Sequence, residues 1–239
     1  MTGLRINRIL HGDCVQVMRG LQAGSVDFVL TDPPYGVRYR DRAGRTVAND
    51  DRLDWLRPAF AEMFRLLRPG SFAVSFYGWN QVDHFFRAWR TAGFTVVGHL
   101  VFQKRYASRT RFLAYHHESA FLLAKGEAVP PASPLPDVLD WTYTGNRFHP
   151  TQKPVESLVP LVQSFCPAGG VVLDPFCGSG SSLVAARDSG CRYIGIELDA
   201  NHHRTASARL ERPAAKPEHE SPAMPWLQPF TRYVEHSAA

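Results

Sequence analysis

The 239-residue chain reads as an α/β protein built on a doubly wound, mostly parallel sheet with helices on both faces. Three observations predict this. Short apolar runs alternate with amphipathic stretches of about 10–15 residues, the order that βα units impose. Segment 171–197 runs apolar strand, glycine turn, small-residue helix, apolar strand, acid, the plan of a βαβ unit. The composition, 44% hydrophobic against 21% charged, supplies enough apolar surface to cover both sides of such a sheet.

Ile6 to Leu10 predicts a strand ending at His11-Gly12-Asp13-Cys14, with a helical turn or two through Met18. Val26 to Thr31 is a second strand. Asp32-Pro33-Pro34-Tyr35 stops it, since two successive prolines cannot donate to a ladder. Residues 36–51 are polar, Arg-rich and aperiodic, which predicts a mobile loop. Leu56, Phe60, Met63, Phe64 and Leu67 recur at helical spacing, so a helix is expected over 53–67, halted by Arg68-Pro69-Gly70. A strand over 71–77, a helix over 81–91 halted by Gly93, and strands over 94–102 and 119–124 follow. Residues 128–147 carry Pro130, Pro131, Pro134 and Pro136 and are expected to be irregular. Pro154 suits the first turn of a helix through Phe165. Then come a strand over 170–173, a helix over 181–188, a strand over 192–196 and a helix over 201–210. Residues 1–212 form one domain, and 213–239 are a Pro-rich tail, loosely held.

No apolar run approaches the length of about 18 residues that a membrane span needs, and the first residues lack an apolar signal segment. Four cysteines (Cys14, Cys166, Cys177, Cys191) form no C-x-x-C pair, which argues against a zinc centre and a disulfide framework and for a reducing cytoplasm. No metal is expected. The net charge of +5 is a mild basic excess, but it is clustered. Lys104, Arg105, Arg109 and Arg111 are interleaved with Tyr106, Phe112 and Tyr115, and Arg38, Arg40, Arg42 and Arg45 follow the Asp-Pro-Pro-Tyr run. Such clusters are either solvated loop faces or contacts to a polyanion.

In 171–182 the strand Val171-Val172-Leu173-Asp174 is followed by Pro175-Phe176-Cys177-Gly178-Ser179-Gly180 and a helix start. Such a turn lets a ligand approach backbone amides. Glu197 stands about 20 residues on, where an acid grips a ribose in nucleotide-binding units. The full G-x-G-x-x-G spacing is missing, and Asp174 puts a carboxylate where a pyrophosphate would sit. That disfavours NAD and suits the ammonium of a methionine moiety, which points to S-adenosylmethionine.

Asp32 to Tyr35 then fit methyl transfer to a ring amine. Such an amine is a poor nucleophile because its lone pair is delocalised. Two acceptors aimed at its two N–H bonds, the Asp32 carboxylate and the Pro33 carbonyl, localise that pair. Pro33 and Pro34 stiffen the backbone, and Tyr35 would stack on a base taken out of the duplex. No Pro-Cys dipeptide occurs, so the covalent route to ring carbons has no evident nucleophile.

Gly12-Asp13-Cys14, Asp32-Pro33-Pro34-Tyr35, His149-Pro150-Thr151-Gln152-Lys153-Pro154 and Asp174 to Gly180 with Glu197 together resemble the permuted β class of DNA amino-methyltransferases, the N4/N6 methylases. In that class the catalytic motif precedes the glycine loop, as it does here. The resemblance implies a seven-stranded Rossmann-like methyltransferase sheet, S-adenosylmethionine as cofactor and double-stranded DNA as substrate. It implies that Asp13, with the Cys14 backbone, meets the cofactor adenine and that Glu197 holds the ribose. Asp174, Phe176, Gly178 and Gly180 would surround the methionine part, Thr151 and Lys153 would close over it with Lys153 facing its carboxylate, and Asp32 would lie near the methionine end. Asp rather than Ser at position 32 favours adenine N6, with cytosine N4 as the alternative. A DNA-binding regulator that keeps the cofactor fold without turnover is a second alternative. The 36–51 loop and residues 103–148 are the segments available to face DNA. So small a chain is expected to gain reading surface as a homodimer. Both orphan methylases and partners of a restriction nuclease fit the resemblance.

Overall fold

The computed structural model describes residues 6–39, 44, 48–109, 112–145, 148–149 and 151–212. Arg40, Arg42, Arg45, Arg111 and the expected tail 213–239 lie outside the described residues, and Arg109 is described only as backbone.

The elements run β1 (Arg8–His11), α1 (Cys14–Arg19), β2 (Val26–Thr31), α2 (Leu56–Leu66), β3 (Leu67–Phe76), α3 (Val82–Ala92), β4 (Thr95–Arg109), β5 (Ala114–Ala124), β6 (Val138–Trp141), α4 (Val155–Phe165), β7 (Val171–Asp174), α5 (Ser181–Asp188), β8 (Arg192–Glu197) and α6 (Ala200–Glu211), with a 3-10 turn at Trp79–Gln81. One sheet holds the strands in the order β1-β8-β7-β2-β3-β5-β4-β6. Its pairs are parallel except β3/β5 and β4/β5.

The class is the one expected, with one strand more than the seven implied. The addition is β6, inside the proline-rich stretch expected to be irregular. It pairs in parallel with β4 from Val101↔Val138 to Lys104↔Trp141. Its exposure alternates, with Leu139 and Trp141 inward, but four residues are too short a run to stand out beside four prolines. β4 is also longer than the predicted 94–102 strand. It continues through Arg109, with a register shift against β5 between Gln103 and Ser108.

β2 shows how the core is made. All six of its residues are buried. Phe28 and Leu30 join the layer of Leu158, Leu161 and Phe165 from α4 and Leu183 from α5. Val29 joins the opposite layer of Met18, Phe60, Met63 and Trp89 from α1, α2 and α3. A strand covered on both faces reads as a near-continuous apolar run, as this one does from Phe28 to Leu30. Asp27, in the same strand, is 4% exposed and satisfied by Arg68 and by the Val171 amide. This ties β2 to β7 at the end away from the cleft described below.

Gly195 of β8 lies beneath α5. A Cβ there would run into the Leu183 side chain and stand 3.1 Å from Cys177 Sγ. Gly195→Ala is therefore expected to lower stability by about 1–3 kcal/mol, read from the denaturant midpoint. An unchanged midpoint would show that α5 moves away freely.

Candidate functional site

The carboxyl ends of the parallel strands open into one cleft of about 510 Å³, where open α/β sheets take their ligands. Asp13, Cys14, Asp32, Pro33, Pro34, Tyr35, Thr151, Lys153, Asp174, Phe176, Gly178 and Glu197 all line it. Of the residues predicted for cofactor and catalysis, Gly180 alone does not. It sits at φ +80°, turning the loop into α5, with its missing Cβ 3.3 Å from Ala206 Cβ.

Asp32 leaves β2 with its side chain 22% exposed to the cleft. The Lys153 ammonium pairs with Oδ2 at 2.7 Å, and the Tyr35 hydroxyl donates to Oδ1 at 2.7 Å. Burial raises its pKa above the ordinary carboxylate value, while Lys153 and the Tyr35 hydroxyl act the other way. Each carboxylate oxygen has two lone pairs, so both retain capacity for a further donor. The Tyr35 phenol is pushed well up by burial and by the Asp32 charge and stays protonated. Lys153 was expected to face a ligand carboxylate. Here it is 8% exposed and committed to Asp32, standing over the rings of Phe76 at 5.0 Å and Trp141 at 5.7 Å. Tyr35, expected to stack on a base, is held by its hydroxyl to Asp32.

Asp174 is 3% exposed and turned into its own loop. Thr31 Oγ1 and the Phe176 amide donate to its Oδ1 at 3.1 and 3.0 Å, and Ser182 Oγ donates to Oδ2. It thus locks β2, the glycine loop and α5 together, and it does not present a free carboxylate to an ammonium. Burial pushes its pKa up to about 7. Between the ordinary carboxyl value and 7 the unfolded chain gives up a proton that the native state keeps. Stability should therefore fall as pH rises from about 4 to 7, by up to about 1.4 kcal/mol per unit. Asp174→Asn should flatten this slope in denaturation curves measured across that range; an unaltered slope would place its cause elsewhere.

Glu197 closes the loop from the other side. Its Oε2 accepts from the Gly178 amide and its Oε1 from the Asp199 amide, both at 2.8 Å. Asp13 caps α1, accepting from the Gln16 amide at 3.0 Å. Burial raises the Cys14 thiol to about 12, so it is neutral. Phe176 meets Trp55 edge-on at 5.0 Å. The Thr151 amide donates to His149 Nδ1 at 3.2 Å, and the His149 ring packs 4.4 Å from that of His202. Gly178 sits at φ +51°, the left-handed region that favours glycine, and a Cβ there would make an ordinary 3.5 Å contact with His149. Acceptors at Asp13 and Glu197 beside aromatic walls suit a nucleoside with its hydroxyls and amine.

Asp50, missed in the sequence, pins the turn after Tyr35. It is 4% exposed, and its carboxylate takes the Gly36 amide at 2.8 Å and the Tyr39 amide at 2.6 Å.

Of the residues expected to face DNA, Arg38 and Arg105 are exposed. Lys104 is the exception. It is 5% exposed, pairs with Glu118 Oε1 at 2.7 Å and lines the cleft. A phosphate contact is not what this position offers. Residues on one strand face alternate, and Phe102 is wholly buried, so Lys104 two residues on points inward too. Strand parity was the available signal. Glu118, Tyr106, Phe76 and Trp141 also line the cleft and were not singled out.

A family model described as DNA methylase matches residues 26–142 and 134–208. A protein of Escherichia coli (strain K12) named as a methylase, YubD, is 56% identical over 205 residues, covering 86% of this chain and 90% of that protein. The DNA adenine methyltransferase YhdJ of the same strain is 26% identical over 251 residues, 87% of this chain and 84% of its own. Among solved structures, the M1.HpyAVI–SAM complex superposes with a TM-score of 0.69 at 22% identity, over 86% of this chain and 99% of that one. With Asp32-Pro33-Pro34-Tyr35 upstream of the glycine loop and both at one cleft, the chain belongs to the DNA methylase family of N6 and N4 amino-methyltransferases.

Proposed function

We propose that this protein uses S-adenosylmethionine to methylate adenine N6 in double-stranded DNA, flipping the base out and transferring the methyl directly. The observation that carries the reading is Asp32. It is an ionisable group at the mouth of a buried strand, clamped by Lys153 and Tyr35 in the cleft that also holds the glycine loop. Asp at this place, rather than Ser, supports adenine over cytosine by resemblance.

Glu197 would hold the ribose, Asp13 the cofactor adenine, and the 176–178 turn the methionine part. The cofactor, when bound, supplies an electrophilic methyl group. The chain supplies the geometry. Asp32 takes one amine hydrogen on its spare lone pairs, and the Pro33 carbonyl takes the other, which sharpens the nitrogen lone pair. Lys153 and Tyr35 oppose the protonation that burial favours and orient the carboxylate. The amine proton leaves to Asp32 or to water. Arg38 and Arg105, both exposed, support binding to phosphates, and a second copy of the chain would extend that surface.

Expression in a methylation-free host, with the DNA digested to nucleosides, is expected to yield N6-methyladenine. N4-methylcytosine alone would overturn the choice of base, and no modified base would overturn the activity.

A further inference from the structure

The sheet divides the cleft. The predicted cofactor acids lie at the ends of β7, β8 and β1. On the other side of Asp32, the same cleft is lined by Phe76 at the end of β3, Glu118 on β5, Lys104 and Tyr106 on β4, and Trp141 on β6. None of these residues has a role in the chemistry above.

Lys104 is the unusual member. Its ammonium has three hydrogens to donate. Among the described residues its one polar partner is Glu118 Oε1, at 2.7 Å. At 5% exposure it is largely cut off from bulk solvent, its ammonium standing 5.7 Å from the Tyr106 ring centroid and opening only on the cleft. A buried cation with unused donors, facing a ligand cleft, is costly unless a ligand completes it. Glu118 holds it in place, and Lys104, Glu118, Asp32 and Lys153 all line the one cleft, so the two ion pairs share it. Beside them, Trp141 is 8% exposed and its Nε1 donates to the Tyr106 hydroxyl at 3.2 Å, which fixes both rings as a wall.

Base chemistry says what such a recess takes. In adenine and in cytosine the exocyclic amine sits next to a ring nitrogen with a free lone pair. Acceptors alone would hold the amine but repel that nitrogen. A site for this edge needs acceptors for the amine and a donor beside them. Asp32 and Lys104 are that combination, with an aromatic wall for the base face.

We propose that this recess seats the flipped base, that Lys104 donates to the ring nitrogen adjoining the reacting amine, and that Trp141 and Tyr106 lie against the ring. The proposal rests on amino-methyl transfer at Asp32. Lys104 thus reads the base, not the phosphate backbone.

The test uses the full chain and duplexes carrying its mapped target, with the target adenine replaced by 1-deazaadenine, which lacks the ring nitrogen, or by 7-deazaadenine as control. Wild-type kcat/KM should fall roughly 10- to 100-fold on the 1-deaza duplex and little on the control, the range expected for one hydrogen bond to a charged group. Lys104→Met should lose a similar factor on the natural duplex and nothing further on the 1-deaza one. S-adenosylmethionine binding by titration calorimetry should be unchanged in the variant. Losses that multiply independently would overturn the contact, as would a wild type indifferent to the 1-deaza base; the latter comparison needs no variant to fold. If the modified base is N4-methylcytosine, only the adenine assignment fails, and the comparison runs with 3-deazacytosine. A chain that methylates no base overturns both readings.

Discussion

Asp32→Ala is expected to cut methyl transfer by about a thousandfold or more while S-adenosylmethionine binding partly survives. The magnitude is that of removing a charged group aimed at the reacting atoms in a water-poor site. Binding survives in part because Asp13, Glu197 and the glycine loop take their shape from other contacts. Gly178 is held by Glu197, and the loop is anchored through Asp174. The variant leaves Lys153 buried beside an empty place, so Asp32→Asn is the companion that keeps the volume. Transfer assays with labelled methyl donor, set beside calorimetric titration of the cofactor, separate the two effects. Turnover within tenfold of the parent in Asp32→Ala would remove Asp32 from the chemistry, whereas Asp32→Asn, which keeps an acceptor oxygen, reads what the charge adds.

Lys153→Met has the second largest expected effect, and it separates two roles. The ammonium lies 2.7 Å from Asp32 and lowers a pKa that burial raises. The other groups acting on Asp32 are the Tyr35 hydroxyl, which also lowers it, and Glu118, which raises it. In the proposed chemistry the working form of Asp32 is the carboxylate, so activity is expected to fail as pH falls through its pKa. Without Lys153 that pKa rises, and the acidic limb of the kcat/KM profile should move to higher pH by about 1–3 units, the usual size of one close opposite charge. If Lys153 instead faced the cofactor carboxylate, the variant would weaken S-adenosylmethionine binding and leave the limb where it was. The pH profile and the cofactor titration read these outcomes independently.

Asp27 shows the limit of reading such residues from sequence. It is a carboxylate in the same strand as Asp32's approach, buried more deeply, yet it serves only to join β2 to Arg68 and β7. Nothing in its neighbours along the chain distinguishes it, because its partners are 41 and 144 residues away. Asp32 was legible because two prolines and a tyrosine follow it directly.

The sequence by itself determined the fold class, the cleft end of the sheet and nearly all of its predicted lining. These rest on local signals: apolar runs for β2 and β7, glycines where the loop turns, and prolines that end a strand. Strand alternation was equally local and would have turned Lys104 inward had β4 been carried past Phe102. Only the tertiary structure decided the partners. It set Lys153 on Asp32 and Glu118 beside Lys104, turned Asp174 into its own loop, and brought β6 from a proline-rich stretch to wall the recess with Trp141. Each of these is a pairing between distant strands, and a charge chooses its partner by distance in space, which a single chain of letters does not encode.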